Sequence, residues 1–169
     1  MKVAALLTLA LFMSVRCNGQ TSVKTVSLNE LQSVIGLPLS QAVAAREVYK
    51  KPLKAALARQ AGKAGTACQT TSGQQPYNVC MGKEDETADS DFAIFYNNLQ
   101  MLCHDQNQLL TLQQSEKQWK AYSDSTMKAT RAAWPDGTAA PGVAGQVYLS
   151  LIRDYMRLLD EIYDLNISQ

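Results

Sequence analysis

Apolar residues recur at helical intervals through the second half of this chain. Ala88, Phe92, Phe95, Leu99 and Leu102 follow steps of four, three, four and three. That spacing lays one apolar stripe along a helix, predicted over residues 84–105. Leu109, Leu112, Trp119, Tyr122 and Ala129 keep helical spacing as far as Trp134, where Pro135-Asp136-Gly137 is a strong stop. Val147, Leu151, Tyr155, Leu158, Ile162 and Leu165 then mark a last amphipathic helix. Three such stripes bury their apolar sides by packing on one another, and short links between them make neighbours antiparallel.

The first half is less regular. Ser27-Leu28-Asn29-Glu30 has the spacing of a capping box and opens a short helix carrying Leu28, Leu31 and Ile35, which Gly36 and Pro38 end. Residues 40–63 are rich in Ala, Arg, Lys and Gln, which favours helix, with Val43, Tyr49, Leu53 and Leu57 as apolar points and Pro52 as a kink or break. Residues 20–26 show no periodicity and are read as a flexible leader. The fold class is all-α: a single bundle of about four helices, up-down in its C-terminal half.

Residues 1–19 stand apart. Lys2 precedes an apolar run over residues 3–15 and polar residues follow at once, the layout of a secretory signal peptide. The run is shorter than the roughly 20 apolar residues that span a bilayer. Cys17-Asn18-Gly19 suits cleavage before Gln20, whereas lipid anchoring through Cys17 would need a small residue where Arg16 stands. The expected location is therefore periplasmic or secreted, with no transmembrane segment in the mature chain. Cleavage there removes Lys2 and Arg16, leaving 14 basic residues against 15 acidic ones, so a formal net charge of +1 becomes −1. A nucleic-acid partner, which needs a basic footprint, gains no support.

Export changes the reading of the cysteines. Cys68, Cys80 and Cys103 remain after cleavage, and an oxidising compartment favours at least one bonded pair. Cys68 and Cys80 flank the polar, Gly- and Pro-containing stretch QTTSGQQPYNV, which reads as a loop that a disulfide would close. Cys103 lies inside a helical pattern and reads as a buried thiol. The single histidine, His104, and the lack of Cys-x-x-Cys spacing leave no metal-ligand set and no cofactor motif. Cys103 and His104 are neighbours that point about 100° apart on a helix, so they form no nucleophile–base pair.

The acids of KEDETADSD admit two readings. Glu84, Asp85, Glu86, Asp89 and Asp91 fall in the first two turns of the helix predicted over residues 84–105, where the helix dipole favours negative charge. Alternatively, Glu84, Asp85 and Glu86 form a patch that binds a partner. A paired-carboxylate hydrolase would need a dry cleft that nothing in this stretch suggests, so the chain is read as a non-enzyme.

Cys68, Cys80 with its acidic lead into Ala88-Asp89, Phe92 and Tyr96, Trp119-Lys120-Ala121-Tyr122-Ser123-Asp124, Gly137-Thr138 and the closing Leu-rich helix together resemble the lysozyme-inhibitor LprI-like family of small exported bacterial proteins. The resemblance covers residues 68–165, so residues 68–169 are read as the LprI-like domain and 20–67 as a leader and helical extension. Family members carry glutamine where Glu116 stands, arginine where Ser123 stands, and a second cysteine pair near Met127 and around residues 148–150. The resemblance implies an exported helical bundle whose name-giving activity is lysozyme inhibition by non-covalent occlusion. The alternative is an envelope accessory protein that binds another protein or peptidoglycan and inhibits nothing. Asp89, Tyr96, Trp119, Tyr122 and Asp124 are read as structural, with Trp119 and Tyr122 in the core. Asp124 would cap or pair, with Arg131 or Arg157, and Asp89 would either stabilise a helix start or bond between helices. Trp134 and Asp136, at the helix–loop boundary, are recognition candidates, with a lid over the bundle end as Trp134's other reading.

Overall fold

A computed structural model describes residues 23–61, 68–134 and 137–163. The signal segment, Cys17, Pro135, Asp136 and Leu165 lie outside the described residues. The described chain holds five helices and no strand: α1 (Leu28–Ile35), α2 (Leu39–Ala61), α3 (Gln74–Gln100), α4 (Gln106–Ala133) and α5 (Ala140–Ile162). The expected all-α class holds, with five helices in place of about four.

α2 and α3 run antiparallel, Arg46 meeting the Leu102 carbonyl and Arg59 meeting Asp91, but the packing order of the helices differs from the sequence order. α2 lies against α3, and α5 packs on both α3 and α4, while the backbones of α3 and α4 seldom come close. Large side chains span that gap. Phe92 of α3 meets Trp119 of α4 at 5.0 Å between ring centroids, and Trp119 stacks on Tyr155 of α5 at 4.7 Å and 6°. Tyr96 donates its hydroxyl hydrogen to the Leu112 carbonyl at 3.0 Å, which satisfies the polar end of a buried ring.

The core is one cluster. Ala88, Phe92, Phe95, Leu99 and Leu102, the stripe read from the sequence, are all buried, with Leu53 and Leu57 of α2 against them. α1 begins at the expected capping box, with the Ser27 side chain accepting from the Glu30 N–H and the Glu30 carboxylate accepting from the Ser27 N–H. Leu31 is buried, whereas Val43 and Ile35 are exposed. α2 runs through Pro52 without a break. Proline needs only that the amide it lacks and the carbonyl it crowds be given up locally.

The leader is not free over residues 23–26. The Lys24 N–H donates to Asn97 Oδ1 and the Val26 N–H to Gln100 Oε1, while the Gln100 amide donates back to the Lys24 carbonyl. Gln100 is fully buried at the end of α3, so its amide needs these partners. A segment without hydrophobic period is ordered here by polar bonds that periodicity does not report, together with Val26 in the core and Val23 packed against it.

Three further expectations are corrected. α3 starts at Gln74, ten residues before the predicted start, because Gly73, at φ 92°, makes the turn and Pro76 sits in the first helical turn, where its missing N–H costs nothing. Much of the presumed loop between Cys68 and Cys80 is therefore helical. In α4, Tyr122 and Ala129 point outward, leaving Trp119 alone of the aromatic pair in the core. In α5 the buried face is formed by Ala144, Leu149, Ile152, Tyr155, Met156 and Leu159, whereas Leu158 and Ile162 of the predicted stripe are exposed.

Candidate functional site

Where α3 and α4 stand apart, α5 floors a cleft of about 370 Å³. Asp85 and Asp89 face it from α3, Tyr148 from α5, and Trp119, Ser123 and Met127 from α4, with Lys120, Asp124, Lys128 and Arg131 along the α4 side. The acidic stretch reaches this position because α3 begins early. The acids that were expected in its first two turns sit in mid-helix, so the dipole explanation for them fails.

Each acid has a separate task. Asp91 is buried and accepts from Arg59 Nε at 2.8 Å, Arg59 Nη2 at 2.6 Å and Gln60 Nε2 at 2.7 Å, tying α2 to α3 far from the cleft. Asp89 accepts a 2.5 Å hydrogen bond from the Tyr148 hydroxyl, the inter-helix alternative of the two considered for it. Burial raises its pKa, opposed by that bond and by Lys120. Glu86 is exposed and Glu84 half-buried.

Asp85 differs from all of these. Its Oδ1 is buried without a hydrogen-bond partner. Desolvation, then the nearby charges of Asp89 and Glu84, push its pKa up to about 7. The expectation of no dry acid in this stretch is thus corrected at one residue. Gly145 of α5 makes the burial possible, since a Cβ there would lie 3.1 Å from Asp85 Oδ2 and 3.3 Å from Met81. Opposite, Ser123 is 2% exposed and its Oγ also lacks a partner. Ser123 stands where the family resemblance leads to arginine, and Met127 and Tyr148, near the positions of the second cysteine pair, line the same cleft.

Asp85 and Asp89 are four residues apart on one helix and so share one wall. A glycosidase pair flanks its substrate from two sides, which two acids on one wall do not do. The arrangement suits binding: desolvated acceptors inside, an aromatic wall from Trp119, and solvated cations outside. Among the described residues no group of three or more His, Cys, Asp or Glu could hold a metal.

The Asp85 carboxyl makes a testable contribution to stability. Because its folded pKa lies above its unfolded value near 4, the unfolded chain ionises first, so stability is fully present below about pH 4 and is lost as pH rises to about 7. Asp85→Asn removes that loss. Chemical denaturation should find the variant more stable than the parent at pH 8 by about 1–2 kcal/mol, after allowing for the solvent-facing side of a half-buried carboxyl, and equal to it near pH 4. A variant less stable at pH 8 would contradict this reading of the site.

The other sequence candidates fall elsewhere or play different parts. Cys68 and Cys80 form the expected disulfide, and Cys103 is a free, buried thiol whose pKa burial pushes up to about 11. Asp124 is exposed and lies 3.9 Å from Lys120, so neither Arg131 nor Arg157 is its partner; Arg157 pairs with Asp154. Trp134 is 48% exposed at the C-terminal end of α4. No signal in the spacing pointed to Tyr148 or Ser123, because their importance comes from the splay of α3 from α4.

A family model described as Lysozyme inhibitor LprI matches residues 65–159. No curated protein and no solved structure matches the chain. No helix among the described residues is long and apolar enough to cross a membrane. The match spans more than half of the chain and every residue of the cleft, and three residues that carry the resemblance, Asp89, Trp119 and Asp124, line that cleft together: the chain belongs to the lysozyme inhibitor LprI family.

Proposed function

We propose that this chain is an exported, non-catalytic binding protein that inhibits a lysozyme by non-covalent occlusion, with the α3–α4–α5 cleft as its contact site. The observation that carries the reading is the convergence of Asp89, Trp119 and Asp124 on one cleft within the family match. Lysozymes are mostly strongly basic proteins, so the half-exposed Glu84 and exposed Glu86 beside the cleft would steer such a partner toward it. Trp134, 48% exposed at the end of α4, and Asp136 of the α4–α5 link would add contacts to the partner.

A lysis assay with lysozymes of several classes tests the proposal. Inhibition of at least one class at micromolar protein is expected, and it should weaken as salt rises because steering between exposed charges is screened. Absence of inhibition across the panel, from protein with its disulfide intact, would overturn the function.

A further inference from the structure

The cleft holds two acceptors with nothing to accept from. Asp85 Oδ1 and Ser123 Oγ are both buried and unpartnered, on facing helices of one cavity. Leaving a buried polar group unpaired is costly, and a guest bringing donors would relieve that cost. The cations of the same cleft do not serve. Lys120 is 60% exposed, 3.9 Å from Asp124, and its charge acts on Asp89 but not on Asp85, while Lys128 and Arg131 are exposed. What the interior lacks is a donor with positive charge.

We infer that the cleft between α3, α4 and α5 is a binding pocket for the alkylammonium head of a lysine side chain on the protein partner, held by Asp85, Asp89 and Ser123 with its stem along Trp119. This rests on the proposed function for the identity of the partner, but not for the chemistry of the pocket. An ammonium has three donors and the pocket offers two carboxylates and a hydroxyl to receive them. Hydrogen bonds from a charged donor to a carboxylate are the strong kind. The apolar stem finds the Trp119 ring and the Met127 side chain, both half-buried in the same lining. Asp89 accepts from Tyr148 with one oxygen, Oδ1, and a carboxylate has lone pairs to spare for a second donor.

The test uses the full mature chain with its disulfide formed, at pH 8, where Asp85 is ionised. Nα-acetyl-lysine methylamide is titrated while backbone amide resonances are followed, and its Nε-acetylated, uncharged counterpart is titrated in parallel. The charged probe should shift the signals of Asp85, Asp89, Trp119 and Ser123 saturably, and the uncharged one should not. Asp85→Asn should weaken the charged probe about tenfold or more. Ser123→Arg, which delivers a guanidinium from α4 into the cleft, should abolish its binding while raising stability at pH 8. Equal shifts from both probes, no shift from either, or an unchanged affinity in Asp85→Asn would each overturn the inference.

Calorimetry with native lysozyme and with lysozyme acetylated on its lysines separates the two claims. Binding of the native form alone supports both. Equal binding of both forms, with no probe binding, keeps the inhibitor function and removes the lysine pocket. Probe binding without binding or inhibition of any lysozyme keeps the pocket and removes lysozyme as the partner.

Discussion

Trp119→Ala should destabilise the fold by about 3 kcal/mol or more, measured by urea denaturation, because large-to-small changes at packed aromatic sites lose both transfer energy and contacts. The reason is architectural. α3 and α4 do not pack backbone to backbone, and beyond the Tyr96–Leu112 hydrogen bond the Phe92–Trp119–Tyr155 cluster bridges them. Beyond Ser115, most α4 residues on the outer side face solvent, so little else holds the distal half of this helix in place. Trp119→Phe keeps an aromatic in the bridge and should lose roughly half as much. Hydrogen exchange gives a second readout: the alanine variant should lose protection over residues 119–133 well before residues 88–99. Uniform loss across both segments would mean that Trp119 is ordinary core and not a local strut.

The sequence made the body of the bundle legible and left the cleft hidden, for identifiable reasons. In α3 the apolar spacing had a single solution, and Ala88, Phe92, Phe95, Leu99 and Leu102 are all buried. α5 offered two competing faces. Its buried side near the N-terminus is made of Gly142, Ala144 and Gly145, residues too small to register as a stripe, while Leu158 and Ile162 drew the pattern toward the solvent side. Gly142 shows why small residues are needed, since a Cβ there would come within 2.5 Å of the Tyr77 ring. The start of α3 was misplaced because Gly73 and Pro76 read as loop, although proline is well accommodated in a first helical turn. That displacement alone converted helix-start acids into mid-helix ones, and with it the environment of Asp85. No linear pattern encodes the distance between α3 and α4, on which the unpartnered state of Asp85 and Ser123 depends.

Cys68→Ser combined with Cys80→Ser should cost roughly 3 kcal/mol, the loop-closure value for a bridge across a sequence separation of 12. The loss should not be spread evenly. The bridge joins the turn at residues 68–70 to the second turn of α3, and Cys68 belongs to the core cluster. The helical segment that it secures carries Tyr77, whose hydroxyl accepts from Gln146 Nε2 at 2.5 Å, and Asn78, which donates to the Thr138 carbonyl at 2.8 Å. These contacts pin the start of α3 to the start of α5, and Met81 and Asp85 follow within two turns. Loosening this end should therefore fray residues 74–81 and hydrate Asp85, returning its pKa toward the ordinary carboxylate range. Carboxyl titration by carbon-detected NMR can read that change directly. Reduced parent protein should behave like the double variant in both stability and Asp85 titration, linking the redox state of the Cys68–Cys80 pair to the readiness of the cleft. A double variant that loses stability while Asp85 still titrates near 7 would show that α5, through Gly145, holds the carboxyl in place without help from the bridge.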